Sequence, residues 1–528
     1  MAMEIRYYPI GIQNFKEIRE LNAVYVDKTA LIYQLVKSSK FVFLNRPRRF
    51  GKSLLCSTMK YYFEGNRELF AGLAMESLEK EWTKYPVIHL NLSLAKGRTR
   101  DELADYLRRL MTDYEKLYGS DGGEVLPGDK LEGVIKRAYE KTGQRVVVIV
   151  DEYDAPLLEV LHEDEETLDG IRKVMRQFFE PLKACEEYLK FVFITGITKF
   201  SRLSIFSTIN HLKNISMTNK YAAICGITES ELHSVLEEDV RSLSKELDLS
   251  YEDTLSRLKE QYDGYHFCVK SEDIYNPFSL LNAFDNQALG SYWFASGTPT
   301  YLIRQMKRFD LDITTLDGVR ADVSAFDVPT EAMVDALPLL YQSGYITIKH
   351  YDFDSDSYIL GIPNKEVKVG LINSLIPVYT SLNPNNLSAG LITDFSGALK
   401  RDDIESAMKI LQSYLASIPY MSGDKEMLAD EKKTEAHYHL IFYLMFSMMN
   451  SKLQTEVRTA RGRVDMVMYT ARSIYVFELK INRPATEALA QIDSKDYALP
   501  YESDGRRVVK VGVSFSTETR TVEEWVVA

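Results

Sequence analysis

Cysteine is scarce in this sequence: four residues in 528, Cys56, Cys185, Cys225 and Cys268, with no CxxC pair among them. Such spacing indicates neither a disulfide framework nor a zinc ribbon, and a reducing cytoplasm is the expected compartment. Long apolar runs are missing as well. Leu440–Met449 is well short of the ~20 residues that a membrane span needs, so no membrane association is expected. The first residues hold no basic stretch followed by an apolar core, the pattern of a secretory leader. Positive charge is not in excess: 64 Lys and Arg against 76 Asp and Glu leave a formal charge of -12. That balance argues against a protein that coats nucleic acid over its whole surface. Glycine (27) and proline (16) stay near ordinary usage, which removes collagen-like and low-complexity readings. What remains is a folding chain, 45% hydrophobic and long enough for roughly three to four domains.

Charge is unevenly distributed. Lys40 to Arg67 holds seven basic residues against Glu64 alone, and Lys452 to Arg483 holds seven against Glu456, Asp465 and Glu478. Asp151 to Asp169 is the opposite, with nine carboxylates and no Lys or Arg; its HEDEETLD portion reads as a solvated loop or helix start. Short apolar runs at Lys40–Leu44, Val87–Leu92, Arg145–Val150 and Phe191–Thr195, separated by segments of helical spacing, predict an α/β fold with a mostly parallel sheet. A charged helical segment from Glu229 marks a change of composition, and Ser381–Gly390 reads as a linker rich in Asn and Pro. The expected domains are therefore 1–230, a helical or winged-helix-like middle region at 231–380 with a hairpin around Asp352–Asp356, and an α/β domain at 381–528.

Directly after the first apolar run come Arg46, Pro47, Arg48, Arg49, Phe50, Gly51, Lys52, Ser53 and Leu54, followed by a helical stretch. Strand, loop, Gly-Lys-Ser and helix is the order a P-loop requires, because the N–H groups at the helix start then point at phosphates. Lys52 is expected to reach the β/γ-phosphates of ATP and Ser53 to ligate Mg²⁺. The first glycine of the usual loop is replaced by Arg46. The run Arg145–Val150 suits a central parallel strand and ends in Asp151 and Glu152, where open α/β sheets bind ligands. Asp151 is expected to hold Mg²⁺ and Glu152 to polarise the attacking water. Thr195 and Thr198, after the next strand, are candidate γ-phosphate sensors, with Lys199 or Arg202 as a second cation.

These motifs, with TyrValAspLysThr (25–29), ValAspGluTyrAspAlaPro (150–156), ThrGlyIleThrLysPheSer (195–201), TyrAspGlyTyrHisPhe (262–267) and TyrAsnProPheSerLeu (275–280), resemble the bacterial AAA-ATPase-like family. The resemblance implies an N-terminal P-loop NTPase domain joined to a C-terminal nuclease-like domain, with Arg-Pro in place of the first glycine. It leaves turnover open.

Near the C-terminus two strand-like runs, Arg461–Tyr469 and Ile474–Ile481, flank a short turn. Pairing symmetric about that turn sets Asp465 directly opposite Glu478. Facing residues have Cβ atoms roughly 4.5–5.5 Å apart, so two carboxylates there repel unless a hard divalent cation such as Mg²⁺ or Mn²⁺ lies between them. Lys480 shares the strand face of Glu478 and can stabilise charge on a phosphoryl oxygen. Asp465, Glu478-x-Lys480 in a hairpin resembles the PD-(D/E)XK nuclease superfamily. That resemblance implies a further acidic ligand at Glu435 on an upstream helix, and a helix carrying Gln491 and Lys495 downstream. The basic residues Arg458, Arg461, Arg463 and Arg472 favour a phosphodiester. The function expected from both halves is ATP binding and hydrolysis controlling a metal-dependent nuclease, with DNA or RNA as partner and a homo-oligomer as the expected assembly. Two rivals remain: a nucleotide-gated scaffold that binds nucleic acid or protein without cutting, and a P-loop kinase.

Overall fold

The computed structural model describes residues 6–528, apart from 96–98, 162, 164, 200–211, 296–301, 304, 307–308, 310, 312–315, 330–332, 381–393, 396, 400, 417–440, 442, 444–451 and 460. Two compact units emerge, one of residues 1–311 and 318–367, the other of residues 312–317 and 368–528.

In the first unit, five strands form a parallel sheet: β1 (Phe41–Asn45), β2 (Val87–Asn91), β3 (Val146–Asp151), β4 (Leu189–Gly196) and β5 (Lys213–Asn214), in the order β2-β3-β4-β1-β5. Every residue of β1 and β3 is buried, which explains why these strands read as continuous Val/Ile/Phe runs rather than alternating ones. One face is covered by the helices α1 (Lys52–Phe63), which packs on β3, and the other by α2 (Arg100–Tyr118), α3 (Pro127–Thr142) and α4 (Glu165–Phe179). The apolar residues of α2 (Leu103, Leu107, Met111) recur at helical spacing and pack in one core with Val146, Val148 and Val150. Thr99 and Glu102 close a capping box at the start of α2.

The helices Glu229–Val235, Glu237–Glu246, Tyr251–Tyr262 and Pro277–Asp285 build a second core in this unit around Leu232, Val240, Leu258 and Leu280, onto which Tyr8, Val24 and Val26 of the N-terminal segment pack. The ion pair of Lys28 with Glu231, at 2.5 Å, ties the two segments together. Further along, β6 (Ile227–Thr228) and β7 (Ile274–Tyr275) pair antiparallel, and β8 (Val319–Ala321), β9 (Thr347–Asp352) and β10 (Ser357–Gly361) form an antiparallel sheet in the order β8-β10-β9, with the expected acidic turn between β9 and β10. The expected linker at 381–390 lies outside the described residues.

The second unit is built on a mixed sheet of β11 (Lys452–Thr459), β12 (Gly462–Tyr469), β13 (Ser473–Ile481), β14 (Arg507–Ser516) and β15 (Thr521–Val527), in that order. Only β13 and β14 are parallel, and the connection between them carries the helix α5 (Ala485–Ser494). Among the described residues no helix is long and apolar enough to cross a membrane, and all four cysteines are buried thiols.

Glu366, 1% exposed, ties several of the first unit's segments together by accepting hydrogen bonds from the Ser279 hydroxyl and the Trp293 N–H, at 2.7 Å each. Burial pushes its carboxyl up to about 7. Its neutral form therefore contributes stability that is fully present below the ordinary carboxyl range and is lost as pH rises through about 7. Glu366→Gln should flatten this part of the decline and raise stability above neutral pH by about 3 kcal/mol. Urea unfolding of both proteins at a series of pH values checks it; parallel curves would show that burial of this carboxyl carries no cost.

Candidate functional site

The loop between β1 and α1 turns on Gly51, whose φ of +90° lies in the left-handed region that suits glycine. It lines a cleft of about 590 Å³. Arg48, Arg49, Phe50, Gly51, Lys52, Ser53, Leu54 and Glu152 face this cleft, whereas Arg46, Pro47, Asp151 and Thr195 do not line it. The far wall comes from elements distant in sequence: Pro9–Gln13, Val24–Val26, Ile224–Ile227 and Pro277–Phe278. Polar loop residues thus face apolar side chains, the composition of a site that takes a phosphate at one end and a flat apolar group at the other.

The residues of the loop that do not line the cleft hold its shape. Arg46 is 1% exposed, and its guanidinium donates to the carbonyls of Asn45, Ser216, Tyr221 and Ala222 while stacking 4.0 Å from the Phe267 ring. In place of the first loop glycine this arginine is therefore an internal strut. Pro47 lies against Gly344, where a Cβ would stand 2.6 Å from the proline ring. The Trp293 indole donates to the Arg48 carbonyl at 3.0 Å, and Arg49 stacks on Phe278 at 4.9 Å.

Lys52 donates to the carbonyls of Arg46 and Pro47 at 3.0 and 2.9 Å. Burial pushes its ammonium below the ordinary range, against the opposing pull of Glu152, Asp151 and Asp154. Burial likewise raises the Glu152 carboxyl, opposed by Lys52. Asp151 is fully buried at the end of β3, and neither of its oxygens has a hydrogen-bond partner among the described residues. A buried carboxylate without a hydrogen-bond donor is a candidate ligand for a cation such as Mg²⁺, as is the Ser53 hydroxyl that faces the cleft. Thr195 is turned inward, its hydroxyl donating to the Leu44 carbonyl at 2.7 Å. Lys199 forms an ion pair with Asp327 at 2.8 Å, and Arg202 lies outside the described residues.

Sequence reasoning passed over Asp154. It is 1% exposed, and one of its oxygens accepts from the Ile197 N–H, the Thr198 N–H and the Thr198 hydroxyl at 3.0, 2.6 and 2.7 Å. This carboxylate clamps the loop after β4 to the loop after β3. Gly196 permits the approach, since a Cβ there would stand 2.3 Å from the carboxylate. The signal was present, because Asp154 belongs to the motif Val150–Pro156, but an aspartate three residues past a strand has no distinguishing spacing.

In the second unit the pairing of β12 with β13 runs from Tyr469↔Ile474 to Met466↔Phe477, the register symmetric about the turn. Beyond it Asp465 accepts the Leu479 N–H at 2.7 Å through its side chain. Glu478, 2% exposed, accepts from the Lys480 ammonium at 3.1 Å and from the Gln491 amide. Asp465, Glu478, Lys480 and Gln491 are thus brought to one place, and the two carboxylates with an adjacent ammonium fit a hard divalent cation. Glu435 lies outside the described residues. Gln491 reaches Glu478 because α5 sits very close to β14. Gly512, the β14 partner of Glu478, would place a Cβ 2.3 Å from the Ala485 carbonyl.

Two family models match the chain: one described as predicted AAA-ATPase over residues 9–206, and one described as PD-(D/E)XK nuclease superfamily over residues 433–525. An Azotobacter chroococcum mcd 1 protein, described as an uncharacterized protein in the vnfD 5' region, is 32% identical over 538 residues, covering 99% of each chain.

Gly512→Ala should lift α5 from the sheet and destabilise the second unit by about 1–3 kcal/mol, the usual cost of overpacking. Urea unfolding checks it, and an unchanged midpoint would show that the helix relaxes freely.

Proposed function

Because this chain belongs to the AAA-ATPase-like family and carries a PD-(D/E)XK nuclease superfamily domain at its C-terminus, we propose that it hydrolyses ATP in the β1–α1 cleft and uses nucleotide state to control phosphodiester cleavage at Asp465, Glu478 and Lys480. In this reading residues 1–230 form the ATPase domain, 231–380 the middle region and 381–528 the nuclease domain. The observation that carries the first half is the buried, unpartnered Asp151 carboxylate beside Lys52 at the end of a central parallel strand. The second half rests on Glu478 held by Lys480 and Gln491.

A divalent cation supplies Lewis acidity and lowers the pKa of water at either site. At the cleft, the N–H groups at the start of α1 cradle the phosphates, and Lys52 exchanges its two loop carbonyls for phosphate oxygens. Glu152, lining the cleft with its carboxyl raised by burial, orients the attacking water. Thr198, fixed by Asp154, sets the position of the loop after β4. At the second site, Asp465 and Glu478 hold the cation, Gln491 fixes the orientation of Glu478, and Lys480 stabilises the charge that grows on the phosphoryl oxygen. DNA is the favoured substrate class, and the four buried thiols fit a reducing compartment.

Purified protein should cleave single- or double-stranded DNA, or RNA, with Mg²⁺ or Mn²⁺, and Glu478→Ala should lower cleavage at least about 100-fold. Lys52→Ala should abolish ATP hydrolysis and remove the effect of ATP on cleavage. Saturable ATP and DNA binding without cleavage in any divalent metal would select the nucleotide-gated scaffold instead, and transfer of γ-phosphate to an acceptor other than water would select a kinase.

A further inference from the structure

Between α1 and the face of the parallel sheet that it covers lie three metal-ligating side chains that are not part of the β1–α1 loop. On β2 the residues Ile88 and Leu90 enter the core shared with α2 and α3, which turns His89 to the opposite face. On β3 the same alternation sends Val148 and Val150 into that core and turns Asp151 the other way. The parallel register pairs His89 with Ile149 and Asn91 with Asp151, so the imidazole and the carboxylate stand diagonally on one surface. Cys56, fully buried on α1, lies against that surface. One ligand atom from each residue lies within 4.8 Å of the other two.

These three groups form a buried polar cluster between α1 and the sheet. Among the described residues, neither Asp151 oxygen nor the His89 Nε2 has a hydrogen-bond partner, and all three atoms are out of contact with solvent. The His89 backbone is held at both ends, its N–H donating to the Tyr114 hydroxyl and its carbonyl accepting from it at 2.8 Å, so the ring has a fixed origin. Ligands bound to zinc at roughly 2.0–2.3 Å in a tetrahedral arrangement stand roughly 3.3–3.8 Å apart, which rotation of the Cys56 and His89 side chains brings within reach. Sulfur, imidazole nitrogen and a carboxylate oxygen form a borderline-soft donor set, which favours Zn²⁺ or Co²⁺ over Mg²⁺.

We propose that Cys56, His89 and Asp151 form a three-ligand site for a thiophilic divalent cation of the Zn²⁺ class, and that its occupation withdraws Asp151 from Mg²⁺ and inhibits ATP hydrolysis. The inhibitory half rests on the reading of Asp151 as the magnesium-holding carboxylate. Binding releases the Cys56 thiol proton to solvent as the sulfur takes the cation. A sulfur ligand favours a thiophilic cation over Mg²⁺.

Two measurements on the full-length chain test the site and its consequence separately. In the first, Co²⁺ is titrated into reduced protein and the thiolate-to-cobalt charge-transfer absorption is read. A band should grow to one equivalent, disappear in Cys56→Ser and shift in His89→Asn. The carboxylates of the second unit cannot produce such a band, since they carry no sulfur. Absence of the band in the unaltered protein, or a band that persists in Cys56→Ser, overturns the site; His89→Asn keeps the test decisive if Cys56→Ser fails to fold, because an unshifted band there overturns it equally. In the second measurement, ATP hydrolysis at fixed Mg²⁺ is followed as Zn²⁺ is added. A loss of at least tenfold that is absent in Cys56→Ser supports the inhibition. A cobalt band with hydrolysis unaffected by Zn²⁺ overturns the inhibitory half and the reading of Asp151 as magnesium ligand, while the three-ligand site stands. No hydrolysis under any condition overturns the proposed ATPase and the inhibitory half together, and the cobalt band still decides the site.

Discussion

A carboxylate buried at the end of a central strand is the interaction on which this protein's chemistry depends. Removing such an ion from water costs several kcal/mol, and the cost has to be met by donors or a cation arranged around it. Asp154 meets it with two backbone N–H groups and a hydroxyl. Glu478 meets it with an ammonium and an amide. Asp151, whose oxygens have no hydrogen-bond partner among the described residues, lies near the charge of Lys52. The three therefore divide by role: Asp154 holds two loops in register, Glu478 is oriented for a ligand, and Asp151 stands as the group with most to gain from a cation.

The loop between β1 and α1 acquires its shape from outside itself. A buried arginine bound to four carbonyls, a proline against a glycine, and an indole donating to a carbonyl come from or reach to positions between 216 and 344, far from the loop in sequence. A glycine in place of Arg46 would give the loop freedom but no such attachment. The consequence is physical coupling: the loop that would hold phosphate is bonded to Trp293, and Trp293 to Glu366, so a displacement at one is felt at the others through direct hydrogen bonds. The apolar side of the cleft has the same origin, since its walls are lent by the N-terminal segment and by the helix Pro277–Asp285.

Much of the fold is legible in the sequence because buried parallel strands leave a strong mark. The runs around Phe41, Val87, Val146 and Phe191 are short, continuous and rich in β-branched or aromatic residues, and each is a strand of the sheet. The hairpin register follows from a short turn, and the structure has the register symmetric about Tyr469 and Ile474. Arg46 was harder. Its position in a nucleotide-loop pattern points toward phosphate, whereas its side chain answers to Ser216, Tyr221 and Ala222, partners that no local spacing reveals. Thr195 is similar, its hydroxyl serving the neighbouring strand. Asp154 lies within a motif but at no distinguishing spacing, and the pair formed by His89 and Cys56 carries no motif at all.

The sequence by itself determined which residue types stand at the strand ends, which helix follows the β1–α1 loop, and the register of the C-terminal hairpin from Tyr469↔Ile474 to Met466↔Phe477. These are local properties, set by periods of two and 3.6 residues and by the length of a turn. Tertiary structure alone decided which polar side chains face the cleft, which are struts within the core, and that His89 of one strand shares a surface with Cys56 of a helix and Asp151 of the next strand. That division has a physical cause. A side chain's face is fixed by its own backbone, but its partners are set by the order of strands in the sheet and by the helix that closes over them, and neither is written in the spacing of neighbouring residues.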